Sequence, residues 1–441
     1  MTDTLTRPQA PAPAPTYGNW RRPKSPGLGR LGFVSTAVCF AGLAVVIAAM
    51  ATSVRLGLVL ALILGAVLLP VVWVDRWGRS GYERMAEWAT WRWHRHARRH
   101  LYVAGPLSRT PSHRFGLPGL AAQVEASEAT DAYGRPFVVL HHPRTGHVST
   151  VLECTPHGDT LVDARQVNEW VGGWGSWLAG LSQEAGLVGA AVTIETAPDT
   201  GTRLRRAIEG RVAPDAPDLA RSVLAEIADT FPAGSPHTTC RIALTWSRAT
   251  VTGKRPLEDL TIDIGSRLPD VAAGLALAGA REGRAMRLAE LAAAVRVAYD
   301  PDVATAVEEL GPDAAGVDWS DAGPVSAEER PGEYLHDGAV SVSWMMGQAP
   351  HGAVFSNVLR NLLAPHPEIA RKRVTLLYRP YAPGQATTLV VNDVRNAVFN
   401  SGKRRIARAR DTVDLRSAQQ AEEEEALGAG VVRFGLVVTA T

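Results

Sequence analysis

Cysteine is scarce in this 441-residue chain, and its cysteines show no paired spacing. The three residues are Cys39, Cys154 and Cys240, without a C-x-x-C motif. An odd and sparse set provides no disulfide framework. The pattern suits a chain whose body lies in a reducing cytoplasm.

The common catalytic motifs are also missing. A phosphate-binding P-loop needs G-x-x-x-x-G-K-[ST], so that backbone N–H groups and a lysine surround the phosphates. Lys254 and Lys403 each follow a glycine, but an arginine comes next in both cases. Neither H-E-x-x-H nor G-x-S-x-G is present. We therefore predict no catalytic residue, no cofactor and no metal ligand, and hence no enzyme activity.

A histidine group offers the one acid–base alternative. His141 and His142 fall on a predicted strand, His147 begins the next one, and Asp159 or Asp163 would supply a carboxylate. Solvated or structural histidines explain the same pattern more simply. A membrane-bound enzyme with an unrecognised site stays open as a minor alternative.

Charge of either sign is absent from two long runs near the start of the chain. Leu31 to Ala51 and Leu56 to Val74 contain no charged residue, and a short link with Arg55 joins them. About twenty apolar residues are enough to cross roughly 30 Å of hydrocarbon as a helix. The sequence therefore predicts a two-helix transmembrane hairpin over residues 31–75.

The positive residues predict the orientation of this hairpin. Basic residues precede the first run and follow the second, whereas the link holds only Arg55. Cytoplasmic flanks carry the excess of Lys and Arg. We therefore expect a two-pass protein of the bacterial plasma membrane, with both termini and the main body in the cytoplasm.

Two polar segments flank the predicted hairpin. Residues 1–30 are rich in proline and read as a disordered cytoplasmic tail. Residues 76–114 are basic and contain several tryptophans, which predicts a juxtamembrane helix and linker at the lipid headgroups. The predicted membrane-interface residues are Arg76, Trp77, Trp88, Trp91, Arg92 and Arg95.

The formal net charge of +2 hides a division between a basic start and an acidic body. Because the bases concentrate before Phe115, the rest of the chain carries net negative charge. Proteins that bind nucleic acid in general present a basic surface. We therefore expect no direct binding of DNA or RNA.

The body shows alternating short strands and helices, which predicts an α+β class with two ferredoxin-like layers. We place a first domain with a helical extension at residues 115–330 and a second block at 331–441. A helix from Asp163 to Gly186 carries tryptophans at spacings of three and four, so a buried face is expected. The predicted strands are 136–142, 147–154, 187–196, 237–247, 338–346, 372–378 and 431–440, the last of them central in its sheet.

Parts of this body resemble the amino-terminal half of VirB-type secretion ATPases. The likeness rests on Gln166, Trp170 and Trp177 in the helix and on the strand Ala191-Val192-Thr193-Ile194-Glu195. It extends to Trp344 to Pro350, to the helix that ends at Leu362-Leu363, and to Arg373-Val374-Thr375-Leu376-Leu377-Tyr378-Arg379-Pro380. The closing stretch Gly428-Ala429-Gly430-Val431-Val432-Arg433-Phe434-Gly435 looks like that of two-pass membrane proteins of actinobacterial conjugative elements. The whole chain is similar to these proteins, which belong to type IV secretion clusters. It also looks like EccE of type VII secretion.

The resemblance implies a structural role, because the nucleotide-binding half of the ATPases is missing. The expected function is a non-catalytic, membrane-anchored component of a bacterial secretion or conjugative DNA-transfer machine. Its expected partners are the lipid bilayer, a separate secretion ATPase, other membrane components and, in a homo-oligomer, further copies of the chain. An EccE-like component of a type VII apparatus is the alternative.

A cluster of large apolar residues supplies the candidate docking surface. Trp344, Met345 and Met346 stand together at the end of a predicted strand. Tryptophan is enriched among interface hot spots, and methionine adapts to irregular partner surfaces. A core position for all three is an equally good interpretation of the sequence.

Overall fold

The computed structural model describes most of the chain in segments. Its described residues divide into two compact units, one within residues 20–101 and 346–351 and the other within residues 102–345 and 352–441. The described segments are 33–72, 79–105, 108, 115–158, 162–213, 215–230, 235–250, 253–281, 283–311, 316–347, 349, 354–402 and 409–441.

The described residues of the first unit form three helices, α1 (Phe33–Thr52), α2 (Val54–Val72) and α3 (Gly81–His96). Helices α1 and α2 approach closely where a glycine faces the other helix. A Cβ on Gly42 would lie 2.4 Å from Leu64 Cδ1, so a larger residue there would require the Leu64 side chain to shift. Many large apolar side chains of the pair are nevertheless exposed: Phe40, Leu43, Val45, Ile47, Val54, Leu56, Leu58, Val59, Leu62, Ile63 and Leu69.

The transmembrane hairpin predicted from the sequence is wrong. In the part of the chain that the structure describes, no helix is found with the length and apolarity needed to cross a membrane. This finding contradicts the hairpin predicted over residues 31–75, and with it the two-pass topology and the plasma-membrane localisation. The outer ends of the two apolar runs, 31–32 and 73–74, lie outside the described residues.

The helix predicted after the second run is present as α3. Ser80 and Glu83 form a capping box, in which Ser80 Oγ accepts from the Glu83 amide at 3.2 Å and Glu83 Oε2 accepts from the Ser80 amide at 2.9 Å. These two bonds satisfy backbone donors that the first turn of a helix leaves free. The proline-rich tail predicted at residues 1–30 lies outside the described residues.

The second unit is built on one large antiparallel sheet of twelve described strands. Its order is β1-β10-β11-β12-β14-β13-β5-β6-β4-β3-β2, with β9 paired to β4, whereas β7 and β8 form a separate pair. The strands are β1 (Leu101–Val103), β2 (Glu125–Thr130), β3 (Pro136–His142), β4 (His147–Cys154), β5 (Leu187–Pro198), β6 (Pro236–Ser247), β7 (Ala249–Thr250), β8 (Gly253–Lys254), β9 (Arg284–Ala285), β10 (Ser326–Arg330), β11 (Glu333–His336), β12 (Ala339–Met345), β13 (Lys372–Pro380) and β14 (Val432–Ala440).

Helices connect these strands and cover parts of both faces. A long pair of helices, α11 and α12, joins β13 to β14. The helices are α4 (Ala164–Gln183), α5 (Thr202–Glu209), α6 (Asp218–Thr230), α7 (Leu257–Ala273), α8 (Leu288–Tyr299), α9 (Ala304–Glu309), α10 (Arg360–Leu363), α11 (Pro383–Gly402) and α12 (Ala409–Ala426).

The two layers predicted for the body are one continuous sheet. Strand β13 pairs antiparallel with β5 from Lys372 opposite Thr196 to Tyr378 opposite Ala190. This ladder joins strands from both sides of the boundary predicted at residue 330. The predicted fold class, a membrane hairpin followed by two ferredoxin-like layers, is therefore wrong. The chain is a mixed helix and strand protein with one large sheet.

One side of the sheet, here called the apolar face, carries the main core. Side chains of alternate residues, such as Val192, Ile242 and Leu244, are buried there against α4 and α7. Trp177 of α4 donates its ring N–H to the Val271 carbonyl at 2.9 Å. The buried helix face that the tryptophan spacing predicts is thus confirmed at Trp177.

The opposite side, here called the polar face, carries hydroxyl and charged side chains. Ser149 Oγ lies 2.8 Å from Thr245 Oγ1, and Thr193 Oγ1 lies 3.0 Å from Thr375 Oγ1. A smaller apolar cluster on this side joins Val138, Val151 and Met286 to Leu291 of α8. Because period-two alternation separates the two sides, one set of strands presents two different surfaces.

Candidate functional site

The predicted docking residues lie at the end of β12. Trp344 is 56% exposed and Met345 is 74% exposed. Met346 directly follows the strand and is half-buried. Trp344 and Met345 are therefore surface residues and not part of the core.

The pairing of β12 explains this exposure. Its register with β14 continues to Met345 opposite Val437, whereas its register with β11 runs only from Ala339 to Ser341. The last residues of β12 thus extend beyond β11. Since neighbouring side chains of a strand point to opposite faces, Trp344 and Met345 are presented on both sides of one strand end.

The predicted membrane-interface residues fall on α3 or just before it. Arg76 and Trp77 lie outside the described residues. Trp88 is exposed, and the Arg92 guanidinium lies 5.6 Å from the centre of its ring. Trp91 is half-buried and Arg95 is exposed, both on the same helix. The membrane role of this set depended on the hairpin and is not retained.

The histidines considered for acid–base chemistry have other partners. His141 Nδ1 lies 3.1 Å from Glu125 Oε2 on the adjacent strand. His142 Nε2 lies 3.2 Å from Ser149 Oγ. Burial, followed by the neighbouring histidines, lowers the pKa of His142, which favours a neutral ring at physiological pH. His142 therefore belongs to the polar face with Ser149, whereas His141 lies on the same side of β3 as Val139 of the apolar face.

Of the two carboxylates considered with these histidines, the described one has another role. Asp163 caps α4, because its Oδ1 accepts from the Arg165 amide at 2.7 Å and from the Gln166 amide at 3.2 Å. These backbone bonds lower the pKa of Asp163. Asp159 lies outside the described residues.

A buried charge cluster on the polar face is the site that sequence reasoning missed. Glu195 of β5 is only 6% exposed. Its Oε2 accepts from Arg241 Nη1 at 2.8 Å, and its Oε1 accepts from Arg371 Nη1 at 2.8 Å. Arg373 Nε lies 3.5 Å from Glu195 Oε1. We call these four residues the Glu195 cluster.

Sheet register brings the members of the Glu195 cluster together. Arg373 stands opposite Glu195 in the β13–β5 ladder, and Arg241 stands opposite Thr193 in the β5–β6 ladder. Arg371 directly precedes β13, and its backbone exchanges hydrogen bonds with Thr441 at 2.9 and 3.3 Å. Three strands that are distant in sequence therefore converge on one carboxylate.

The cluster sets the protonation state of its members. Burial alone would raise the pKa of Glu195, but Arg241, Arg371 and Arg373 hold it below its ordinary value of 4.5. For Arg373, burial lowers the pKa and the Glu195 charge only partly offsets this effect. The carboxylate is therefore ionised at neutral pH.

The sequence did contain a signal for the cluster. Glu195 and Arg241 each interrupt a mostly apolar or hydroxyl-bearing strand. Charged residues inside such strands are rarely buried unless they are paired. A search for opposite charges within predicted strands would have grouped Glu195 with the arginines, although their pairing needs the sheet order.

Two cysteines face each other on the apolar face. Cys154 and Cys240 are opposite in the β4–β6 ladder, and both are free thiols. Burial raises the pKa of Cys154 to about 12 and that of Cys240 to about 11. Both are therefore protonated and act as small apolar core residues.

The described residues contain no group of three or more His, Cys, Asp or Glu side chains arranged to hold a metal ion. The family model of a domain of unknown function (DUF8461) matches residues 24–83, which include α1 and α2. None of the curated proteins matches the chain. The match covers a small part of the chain and carries no functional statement.

Proposed function

We propose that this protein is a non-catalytic structural component of a bacterial secretion or conjugative DNA-transfer machine, which binds a separate ATPase through the end of β12. The observation that carries the proposal is the exposure of Trp344 and Met345 on a strand end that extends beyond its neighbour. Adjacent large apolar residues on a surface are characteristic of interaction sites.

The geometry of the strand end supports contact with a protein partner. Backbone groups of β12 beyond Ser341 have passed the end of the β11 register, so they lie at a local sheet edge. A partner strand adds to such an edge through main-chain hydrogen bonds, and flanking side chains add specificity. Trp344 and Met345 would supply those flanking contacts on the two sides.

The type of machine is supported by the sequence resemblance. The motifs that resemble secretion ATPases fall on β5 and β13, which are paired in the centre of the sheet. The nucleotide-binding half of those ATPases has no counterpart among the motifs of this chain. We therefore expect a chain that resembles only the amino-terminal half to bind a separate ATPase, which supplies the energy.

Charge indicates the chemistry of the partner surface. The body from Phe115 onward is net negative. Complementary potentials steer association and disfavour wrong partners. We therefore expect the ATPase to present an apolar pocket with a basic rim to Trp344.

A pull-down of the full-length chain from its native cells tests the proposal. Trp344→Ala should reduce recovery of the ATPase at least tenfold, as expected when a hot-spot side chain is removed. Because Trp344 is exposed, the melting temperature should stay nearly unchanged. Trp88→Ala is the matched control, since it also removes an exposed tryptophan and should leave recovery unchanged.

The pull-down also separates the alternatives. Recovery of a type IV ATPase supports the conjugative machine, and recovery of type VII components instead supports an EccE-like role. Full recovery with Trp344→Ala contradicts docking at β12. Loss of the ATPase together with a large fall in melting temperature also contradicts it, because Trp344 would then be needed for the fold.

A further inference from the structure

A cavity of about 260 Å³ lies on the polar face beside the Glu195 cluster. Its floor consists of side chains from β4, β5 and β6, including Thr239 and Arg241, together with Arg371. Its wall consists of small apolar side chains of α8 and α9: Ala293, Ala294, Val297, Ala304 and Val307. A polar floor opposite an apolar wall is the usual construction of a small-molecule site.

Within the Glu195 cluster beside the cavity, arginines outnumber carboxylates. Arg241, Arg371 and Arg373 all pair with Glu195, and within the described residues no second carboxylate pairs with them. Three guanidinium groups thus share one negative charge. Burial of charge without compensation is costly, so the cluster favours an additional anion nearby.

Hydrogen bonding at the floor is also incomplete. The Nε atoms of Arg241 and Arg371, which line the cavity, are buried without a hydrogen-bond partner, and so is Thr239 Oγ1. Buried donors are nearly always bonded in native proteins, so unbonded ones at a cavity indicate a missing acceptor.

Acidic side chains at the rim limit the charge that a ligand can carry. Arg284 is neutralised by Glu153 at 2.7 Å and by Glu290 at 2.8 Å. Arg203 pairs with Asp199 at 3.8 Å. The rim therefore adds no free positive charge, and its acids repel a polyanion. A nucleoside triphosphate or a nucleic acid does not suit this entrance.

We propose that the cavity binds a small ligand through one oxyanion group, a carboxylate or a phosphoryl group, held by Arg371, Arg241 and Thr239. Guanidinium groups bind both kinds of oxyanion in a planar, two-bond geometry. The remainder of the ligand is compact and packs against the apolar wall of α8 and α9.

Titration of the full-length chain with two probes, inorganic phosphate and acetate, tests this site. The melting temperature is followed at constant ionic strength, with chloride as the reference anion. Phosphate or acetate should raise the melting temperature in a saturable way, because a ligand that binds only the folded state stabilises it. Saturation by phosphate identifies a phosphoryl site, saturation by acetate alone identifies a carboxylate site, and saturation by both identifies the shared oxyanion chemistry.

Thr239→Val is the main variant, because it removes one hydroxyl and keeps the side-chain shape. Without anion its stability should be equal to or above that of the wild type, since an unbonded buried hydroxyl is lost. Its apparent affinity for the effective anion should fall about tenfold, as expected for one lost hydrogen bond to a charged group. Thr238→Val, on the other side of the same strand, is the matched control and should bind as the wild type does.

Arg371→Gln is the second variant and should abolish the saturable response. If this variant fails to fold, Thr239→Val alone decides. The proposal is overturned if neither anion has raised the wild-type melting temperature when its concentration reaches about 10 mM. Specific sites bind their ligands more tightly than this concentration. Equal affinities of the wild type and Thr239→Val would overturn it as well.

Discussion

The two faces of the sheet differ in how they satisfy their buried groups. On the apolar face, Trp246 and Leu244 are almost fully buried, and even Cys240 packs as an apolar residue. On the polar face, β5 and β6 bring Glu195 and Arg241 together beside a cavity, and Glu195 is buried. Alternation along β5 and β6 produces both surfaces, because each residue faces opposite to the next.

This difference shows a division of tasks within one set of strands. Apolar burial stabilises in proportion to the area removed from water and needs no specific partner. A buried ionic cluster contributes little net stability, because desolvation offsets its attractions. We infer that the apolar face holds the fold and that the polar face keeps charge for binding.

The largest expected effect comes from opening the apolar face. Trp246→Ala removes a side chain that is 2% exposed at the centre of the core. The free energy of unfolding should fall by about 3–5 kcal/mol, the cost of a large aromatic cavity. Chemical denaturation of the full-length chain measures it. Trp344→Ala is the control and should change it by less than about 0.5 kcal/mol; equal losses would contradict the assignment of the two tryptophans.

A smaller loss of stability is expected when the charge of Glu195 on the polar face is removed. Glu195→Gln keeps the shape of the side chain but leaves three arginines without their carboxylate. The free energy of unfolding should fall by about 3 kcal/mol at neutral pH, as for other broken buried ion pairs. Chemical denaturation against the wild type measures it. An unchanged stability would mean that the cluster is not formed.

The difference in free energy of unfolding between the wild type and Glu195→Gln should depend on pH, which gives an independent check of the Glu195 cluster. Since the pKa of Glu195 in the folded state lies below its ordinary value of 4.5, the carboxylate stabilises the fold above that pH. The contribution is lost as the pH falls through the folded-state pKa. The stability gap between the wild type and Glu195→Gln should therefore shrink below about pH 4.5. A gap that widens in acid would contradict the sign of the shift.

The smallest effect concerns one hydroxyl pair between β5 and β13. Thr375→Val removes the partner of Thr193, whose Oγ1 lies 3.0 Å away. The loss should be about 1 kcal/mol, the net value of one hydrogen bond. Thr375→Ser keeps the hydroxyl and serves as the control. A loss as large as that of Trp246→Ala would place this pair in the main core instead.

Most elements of the second unit follow from the local sequence pattern. The strands predicted at 136–142 and 147–154 coincide with β3 and β4, and the last strand lies between β12 and β13 as its apolar sequence suggests. The hairpin of β10 and β11 was missed, because Ser326–Arg330 is polar and lies toward the edge of the sheet. An edge strand without an apolar run gives little periodic signal.

Long-range pairing could not be read from the sequence. The antiparallel ladder between β5 and β13 joins residues about 180 positions apart, so local periodicity says nothing about it. The Glu195 cluster depends on this ladder and was missed with it. Trp344 and Met345 were recognised from composition, but their exposure depends on where the β11 register ends.

Site-specific photo-cross-linking at Met345 tests the proposed docking most directly. A photoreactive phenylalanine analogue at this position of the full-length chain, in its native cells, should form one major adduct with the ATPase. The same analogue at Tyr133, which is 72% exposed in a turn of the same unit, serves as the control and should give none. An ATPase adduct at Tyr133 and not at Met345, or no adduct at either position, would contradict docking through the end of β12.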